Sequence, residues 1–278
     1  EALATRQAAF CAAQGIRLRE DGICHSVVTE HHALPGQVVV GSDSHTPHAG
    51  ALGCFAFGVG TTELACSWLT RDVRIAVPAT VRVEIEGRLG AGVTAKDLML
   101  ALLAHPYVKG GGAIGKVLEY AGACVEGLSI DERATLTNMS AEAGAFTGIV
   151  APDETTARFL SERRGLATDE GRALCAGLAS DPDASYETVL HLDATALAPR
   201  VALPGDPGNG VAIGDLVEPV PIDIAYGGSC TAGKRSDLEM YATVLADGLA
   251  QGRRVAPGVR FFIQAGSADA LEWARARG

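Results

Sequence analysis

The sequence predicts an α/β protein built on largely parallel sheets, and three observations carry that prediction. Short β-branched or alternating runs are interleaved with helix-like segments along the chain, the order that gives parallel pairing. The 34 glycines supply many tight turns between those runs. Reactive polar residues follow directly after two of the strands, where open α/β sheets bind their ligands. These are Gly41-Ser42-Asp43-Ser44-His45-Thr46 after Val38-Val39-Val40, and Gly227-Gly228-Ser229-Cys230-Thr231 after Ile222-Asp223-Ile224-Ala225-Tyr226.

Taken in order, residues 1–20 read as a helix ending near Gly15 and a short strand at Ile16–Leu18, with Asp21-Gly22 as a turn. Val38–Val40 is a stiff strand that Gly41 ends. Gly58-Val59-Gly60-Thr61-Thr62-Glu63 is a loop opening a helix, with Thr61 or Thr62 as N-cap; no GxGxxG spacing is present. Val81–Gly87 alternates as a half-exposed strand. Thr94 caps a helix over Ala95–Ala104, Gly110–Gly112 is a connector, and Val117–Tyr120 is a strand. A helix is expected from Asp131 to Gly144, which sets Asn138 and Glu142 on one face. Gly148–Pro152 is a strand and Asp153 caps a helix to Arg163. Residues 165–184 read as a connector, Tyr186–Asp193 as a strand, Ser236–Leu249 as a helix and Gly258–Gln264 as the last strand. Ser267 caps a final helix running to Gly278. Pro78 and the Pro/Gly-rich stretch from Pro199 mark boundaries, dividing the chain into lobes 1–77, 78–198 and 199–278.

Composition narrows the function. A chain of 278 residues with 47% hydrophobic and 20% charged residues buries a large core. A net charge of −10 without a basic stripe argues against nucleic acid. It still permits an anionic substrate held by a few arginines. No run is long enough for a membrane span and no signal peptide is visible, so the expected location is the cytoplasm. Seven cysteines at irregular spacing, with no CxxC, fit a reducing compartment and small core residues rather than disulfides or a zinc site.

Four stretches carry reactive groups. Asp43, Ser44 and His45 lie side by side and, taken alone, read as a polar turn. His25 sits in an apolar stretch and alone reads as a core histidine. Asn138 and Glu142 sit amid small residues. Cys230 lies at a strand-to-helix turn, a position that favours a thiolate as nucleophile or metal ligand. A hydrolase using Ser44, His45 and Asp43 is disfavoured, because neighbours in a turn rarely form a relay and no GxSxG elbow is present.

Together the motifs resemble the aconitase superfamily: Asp21-Gly22-Ile23-Cys24-His25, Leu34-Pro35-Gly36, Gly41–Thr46, Gly58-Val59-Gly60, Thr137–Gly144 and Gly228-Ser229-Cys230-Thr231, in order over nearly the whole chain. Ala151–Thr156 and Val255–Val259 are most similar to its 3-isopropylmalate dehydratase large subunits and homoaconitases. The resemblance implies α/β/α lobes with mainly parallel sheets around one cleft. It also implies reversible dehydration of a hydroxy-di- or tricarboxylate at a [4Fe–4S] cluster. By matching position, Cys230 is a cluster ligand, and His25 with Asp43 and His45 with Glu142 form two imidazole–carboxylate pairs. Ser44 and Asn138 hydrogen-bond the substrate or the cluster region.

The family's other two cluster cysteines form a CxxC beyond this chain's last residue, and an early Asp-His pair precedes its first. A catalytic serine and a substrate-binding arginine belong to a small swivelling domain or subunit, the expected partner. The chain alone is therefore expected to be an incomplete large subunit, without an intact cluster and inactive by itself. Ala232 stands where the family has Asn, and Cys24 and Cys54 are expected to be core residues rather than replacement ligands. Other readings are an aconitate hydratase, or an inactive scaffold or regulatory relative that binds RNA, which the acidic charge disfavours.

Overall fold

The computed structural model describes residues 2–278. Its elements run in chain order as α1 (Ala2–Gln14), α2 (Cys24–His31), β1 (Val38–Gly41), a 3-10 helix (Thr46–Leu52), β2 (Phe55–Gly58), α3 (Thr61–Thr70) and β3 (Thr80–Glu86). Then follow α4 (Ala95–Ala104), α5 (Pro106–Lys109), β4 (Val117–Ala121), α6 (Ala123–Gly127), α7 (Ile130–Asn138), β5 (Thr147–Val150), α8 (Glu154–Arg164), α9 (Thr168–Cys175) and β6 (Thr188–Asp193). The last are β7 (Arg200–Ala202), β8 (Gly210–Ala212), β9 (Ile224–Gly227), α10 (Arg235–Ala250), β10 (Arg260–Ile263) and α11 (Ala268–Arg275).

Parallel pairing dominates. β1 pairs with β2, β9 with β10, and a four-stranded sheet runs in the order β5-β4-β3-β6, all parallel; among the described residues β7 and β8 pair antiparallel, and Gly22 makes an isolated antiparallel bridge to Ser267. The alternation along β3 buries Val81, Val83 and Ile85 against Leu98, Met99 and Leu102 of α4 and Leu136 of α7. Its other face carries Arg82, which bonds Glu84, Glu119 and Tyr186. A smaller core joins Leu52, Cys54 and Ala56 to Ile130 and Ala134 of α7. Helix α7 thus belongs to both cores and holds the polar cleft between them.

Contact between the 3-10 helix and β5 is backbone to backbone. A Cβ on Gly50 would lie 1.9 Å from the Gly148 carbonyl oxygen. Gly50→Ala is expected to destabilise the protein by about 2 kcal/mol, because overpacking there forces the backbone apart. Urea denaturation checks this as a lowered midpoint at an unchanged slope.

Several local expectations need correction. Ile16–Leu18 forms no strand. The polar turn at Asp43–His45 leads directly into the 3-10 helix at Thr46, since Pro47 is tolerated in a first helical turn. Gly60, not Thr61 or Thr62, is the N-cap of α3, with the Glu63 carboxylate accepting its N–H. Residues 165–184 contain α9, whose polar sequence hides a helix that packs Gly171 on Ala157 of α8. Helix α2 runs to His31, and α11 stops at Arg275 rather than at Gly278. Helix α7 ends at Asn138, so Glu142 lies in the turns beyond and shares no helix face with it. Cys24 is exposed rather than in the core, whereas Cys54 is buried, its thiol donating to the Leu34 carbonyl at 3.1 Å.

Candidate functional site

The turn after β1 is built as a turn and as a site at once. The Asp43 carbonyl accepts the Thr46 N–H (3.2 Å) and the Thr46 hydroxyl (2.7 Å), while its carboxylate accepts the His45 N–H at 2.8 Å. Gly58 presses on this loop, since a Cβ there would sit 2.4 Å from the Asp43 carbonyl oxygen. The loop is therefore fixed by backbone contacts before any ligand arrives.

Helix α2 delivers His25 to the same point. Its Nε2 lies 3.0 Å from Asp43 Oδ1, and a carboxylate can only accept, so Nε2 carries the proton. His45 Nε2 lies 3.3 Å from Glu142 Oε1, and its Nδ1 lies 3.5 Å from Asp43 Oδ1. The two imidazole rings stand 6.2 Å apart. Four residues from three separated stretches thus form two linked imidazole–carboxylate pairs.

The pairs titrate in opposite directions. Burial pushes the His25 imidazolium down, and the Asp43 charge only partly offsets this, so His25 is neutral near pH 7. The His45 N–H holds the Asp43 carboxyl below the usual carboxylate range. The Glu142 hydrogen bond raises His45, which therefore stays protonated to higher pH than an ordinary histidine.

Beneath the pairs lies a second polar group. Asn138 is fully buried; its Nδ2 donates to His48 Nδ1 at 3.1 Å and its Oδ1 accepts from the Cys230 thiol at 3.8 Å. An amide nitrogen only donates, so the His48 proton sits on Nε2. Burial drives the His48 imidazolium far down, so this ring is neutral. Sequence reasoning missed His48; its place three residues after His45 was the available signal. Cys24, expected in the core, instead borders the site: its sulfur lies 3.7 Å from His25 Nδ1, and partial desolvation and the Asp43 charge push its thiol up. Lys234 was missed as well. This buried ammonium donates to the Thr231 carbonyl (2.7 Å) and the Thr135 hydroxyl (3.1 Å), tying the cysteine turn to α7. Cys230 lies in the turn before α10, not in its first helical turn. Ser229 beside it holds φ at +74°, a left-handed conformation that costs a non-glycine residue roughly 1–3 kcal/mol.

Residues of the site line two cavities. The larger, about 1200 Å³, has Asp43 and exposed Ser44 in its wall, with Gly58, Val59 and Phe146; the second, about 820 Å³, is bordered by Glu142, Thr135 and Thr231. The imidazole hydrogen bonds go to Asp43 and Glu142, and Ser44 stands exposed in the wall of the larger cavity. No helix of the described residues is long and apolar enough to cross a membrane.

A largely parallel α/β chain with imidazole–carboxylate pairs and a cysteine turn converging on one cleft defines a class that comparison identifies. A sequence model of the aconitase family (aconitate hydratase) matches residues 1–219 and 214–278, and the chain belongs to that family. Among curated relatives, it is 42% identical over 259 residues to the 3-isopropylmalate dehydratase large subunit 1 of Methanopyrus kandleri, covering 91% of this chain and 58% of that protein. It is 41% identical to the large subunit of Wolinella succinogenes (90% of this chain, 57% of that protein) and 36% identical to that of Roseiflexus castenholzii (96% and 64%). The chain thus spans roughly three fifths of the length of these relatives, 57–64%.

The family implies a [4Fe–4S] cluster held by three thiolates. Two thiols, Cys24 and Cys230, have contacts inside the site. Cys54 is buried elsewhere, and Cys11, Cys66, Cys124 and Cys175 belong to α1, α3, α6 and α9. No CxxC occurs in the chain. A three-thiolate cage does not fit the donors this chain provides.

Proposed function

We propose that this chain forms part of a hydro-lyase that removes water from, and returns it to, a hydroxy-di- or tricarboxylate such as 3-isopropylmalate or homocitrate. In this reading the three lobes meet at the cleft, and a small subunit brings the serine that takes the substrate proton. The names of the relatives, 3-isopropylmalate dehydratase large subunits, support the substrate class. The observation that carries the reading is the linked pair geometry, with burial lowering one imidazole and the Glu142 hydrogen bond raising the other.

Dehydration breaks a C–H bond and a C–O bond and forms a C=C bond. The departing hydroxyl needs a proton, and His45, raised by its Glu142 hydrogen bond, is the group placed to supply it. Glu142 orients His45 and stabilises its acid form. Neutral His25, anchored by Asp43, bonds the leaving water, and Ser44 bonds a substrate carboxylate. Hydration reverses each transfer. These roles concern the chain's own residues and involve no step at a cluster.

The test is an assay of the complete large subunit that contains this chain, together with its small subunit, on a panel of 2- and 3-hydroxy-di- and tricarboxylates, following the absorbance of the unsaturated acid. The expected result is alkene formation from 3-isopropylmalate, with a rate that falls as pH rises through the raised His45 value. No hydration or dehydration of any panel member would refute the reading. A rate that rises across that limb would refute the role of His45.

A further inference from the structure

We propose that Glu30 and Arg163 are positioning residues for His25: their buried ion pair, completed by Ser267 and Asp269, fixes helix α2 so that the helix presents the imidazole to Asp43. The inference rests on the role given to His25 under the proposed function. His25 and Glu30 both lie on α2, and a separation of five residues places them about 140° apart around the helix axis. One side of the helix meets Asp43 at 3.0 Å, while the other meets α8 and the start of α11.

The anchoring converges on one carboxylate oxygen. Glu30 Oε1 accepts from Arg163 Nη2 at 3.3 Å and from the Ser267 hydroxyl at 3.0 Å. The same Arg163 nitrogen donates to Asp269 at 3.1 Å, and Asp269 also accepts from Arg235, the first residue of α10, at 2.8 and 2.7 Å. Arg164 donates to the Glu30 and Thr29 carbonyls, the first at 3.0 Å. The entry of α2 rests on the same support. The Gly266 carbonyl accepts the Ile23 N–H at 2.8 Å, and the Asp21 carbonyl accepts the Ala268 N–H at 2.7 Å. The Gly266 N–H donates to the Gly233 carbonyl at 2.7 Å, so the segment that ties both ends of α2 also carries the cysteine turn.

Stability alone does not account for this arrangement. The Glu30 and Arg163 side chains are 8% and 12% exposed, and Glu30 Oε2 has no hydrogen-bond partner among the described residues. Burial pushes the Glu30 carboxyl up, against Ser267 and Arg163. A buried ion pair is often replaceable by apolar residues without loss of stability, and its best-attested use is to fix one register among several. Helix α2 needs such a device. It has eight residues, its N-cap Ile23 supplies no side-chain cap, and helices of that length do not persist without tertiary anchoring.

The experiment follows the ring titration of His25 by proton–nitrogen NMR on the protein labelled at its seven histidines, with His25→Gln assigning the signal. Burial is the main cause that lowers His25, and the ring faces Asp43, His45, His48 and Cys24, none of which is altered. In Glu30→Ala the helix loosens and water reaches the ring, so the midpoint is expected to move up by about half a pH unit or more. The direct charge effect has the opposite sign, because removing a nearby carboxylate lowers an imidazole's midpoint. Glu30→Gln, whose amide oxygen still accepts from Ser267 and Arg163, should stay close to the parent. In the complete large subunit with its small subunit, Glu30→Ala should lower kcat for dehydration by about 10–100-fold with little change in KM. Added to His25→Gln, it should cost nothing further. Circular dichroism confirms folding; Arg163→Met takes the place of Glu30→Ala if that variant is unfolded, and its combination with His25→Gln then decides. A His25 midpoint that is unmoved or lowered in folded Glu30→Ala overturns the proposal, and so does a fully additive double variant. An upward shift in a protein whose complete complex dehydrates no acid supports the positioning of His25 and overturns the hydro-lyase reading alone.

Discussion

Asp153→Ala is expected to destabilise the protein by about 3–5 kcal/mol, the cost of leaving a buried cation without its partner. Arg133 is fully buried. Its two terminal nitrogens donate to the two Asp153 oxygens at 2.9 and 2.7 Å, and one also donates to the Glu126 carbonyl at 2.9 Å. Removing the carboxylate leaves the guanidinium with that one carbonyl in an apolar setting. The same carboxylate caps α8 by accepting the Thr155 and Thr156 N–H groups, so the substitution also removes a cap worth about 1 kcal/mol. Arg133→Met combined with Asp153→Ala should recover part of the loss, because no unpaired charge then remains buried.

The pH dependence of this pair has a definite sign. Burial alone would raise the Asp153 carboxyl, but the Arg133 hydrogen bonds outweigh it and hold the group below its ordinary value. A depressed carboxyl stabilises the fold above the unfolded value, about 3.9, and loses that contribution as pH falls through the folded value. The gap between parent and Asp153→Ala in urea should therefore be full near neutral pH and shrink below about pH 4. The effect reaches the site through α7, which carries Arg133 in its middle and Asn138 at its end.

The sequence made some of these elements legible and concealed others, for physical reasons. The Thr94 helix and the β3 strand were readable because their signals are local: Thr94 and Asp97 cap each other, and alternate residues of β3 face one core. Helix α9 was hidden because few of its residues are buried and its surface is held by Arg172 pairing with Glu154 and Asp169. The end of α7 was misplaced because Asn138 through Gly144 still looks helical, although the chain turns at Met139. Of the candidate site, the family resemblance pointed to His25, Asp43, His45, Glu142, Asn138 and Cys230, and the structure brings His25 to Asp43, His45 to Glu142 and Cys230 to Asn138. The reading of His25 as a core histidine was also sound, since the ring is 9% exposed, yet it meets Asp43. His48, Lys234 and Cys24 were not legible, because their importance comes from neighbours about 90 or more residues away, or across a helix start, and no local pattern encodes that.

The larger catalytic effect is expected at His45. His45→Gln keeps a side chain of similar reach but carries no transferable proton at neutral pH. If His45 gives the proton to the departing hydroxyl, kcat for dehydration should fall by about 10²–10⁴-fold with little change in KM, the range for loss of a positioned general acid. Glu142→Gln keeps the hydrogen bond at 3.3 Å in outline but removes the charge that raises His45. Its signature is a shift in the pH profile. The limb on which activity falls with rising pH should move to lower pH, because His45 then loses its proton earlier. The double variant should be barely worse than His45→Gln alone, since Glu142 acts through the imidazole and has nothing to position once the ring is gone. A Glu142→Gln protein with an unmoved limb and an additive double variant would instead place Glu142 on the substrate. Asp43→Asn offers the contrast. Asp43 anchors the neutral His25, so this variant should lower kcat without moving the His45 limb to the same degree.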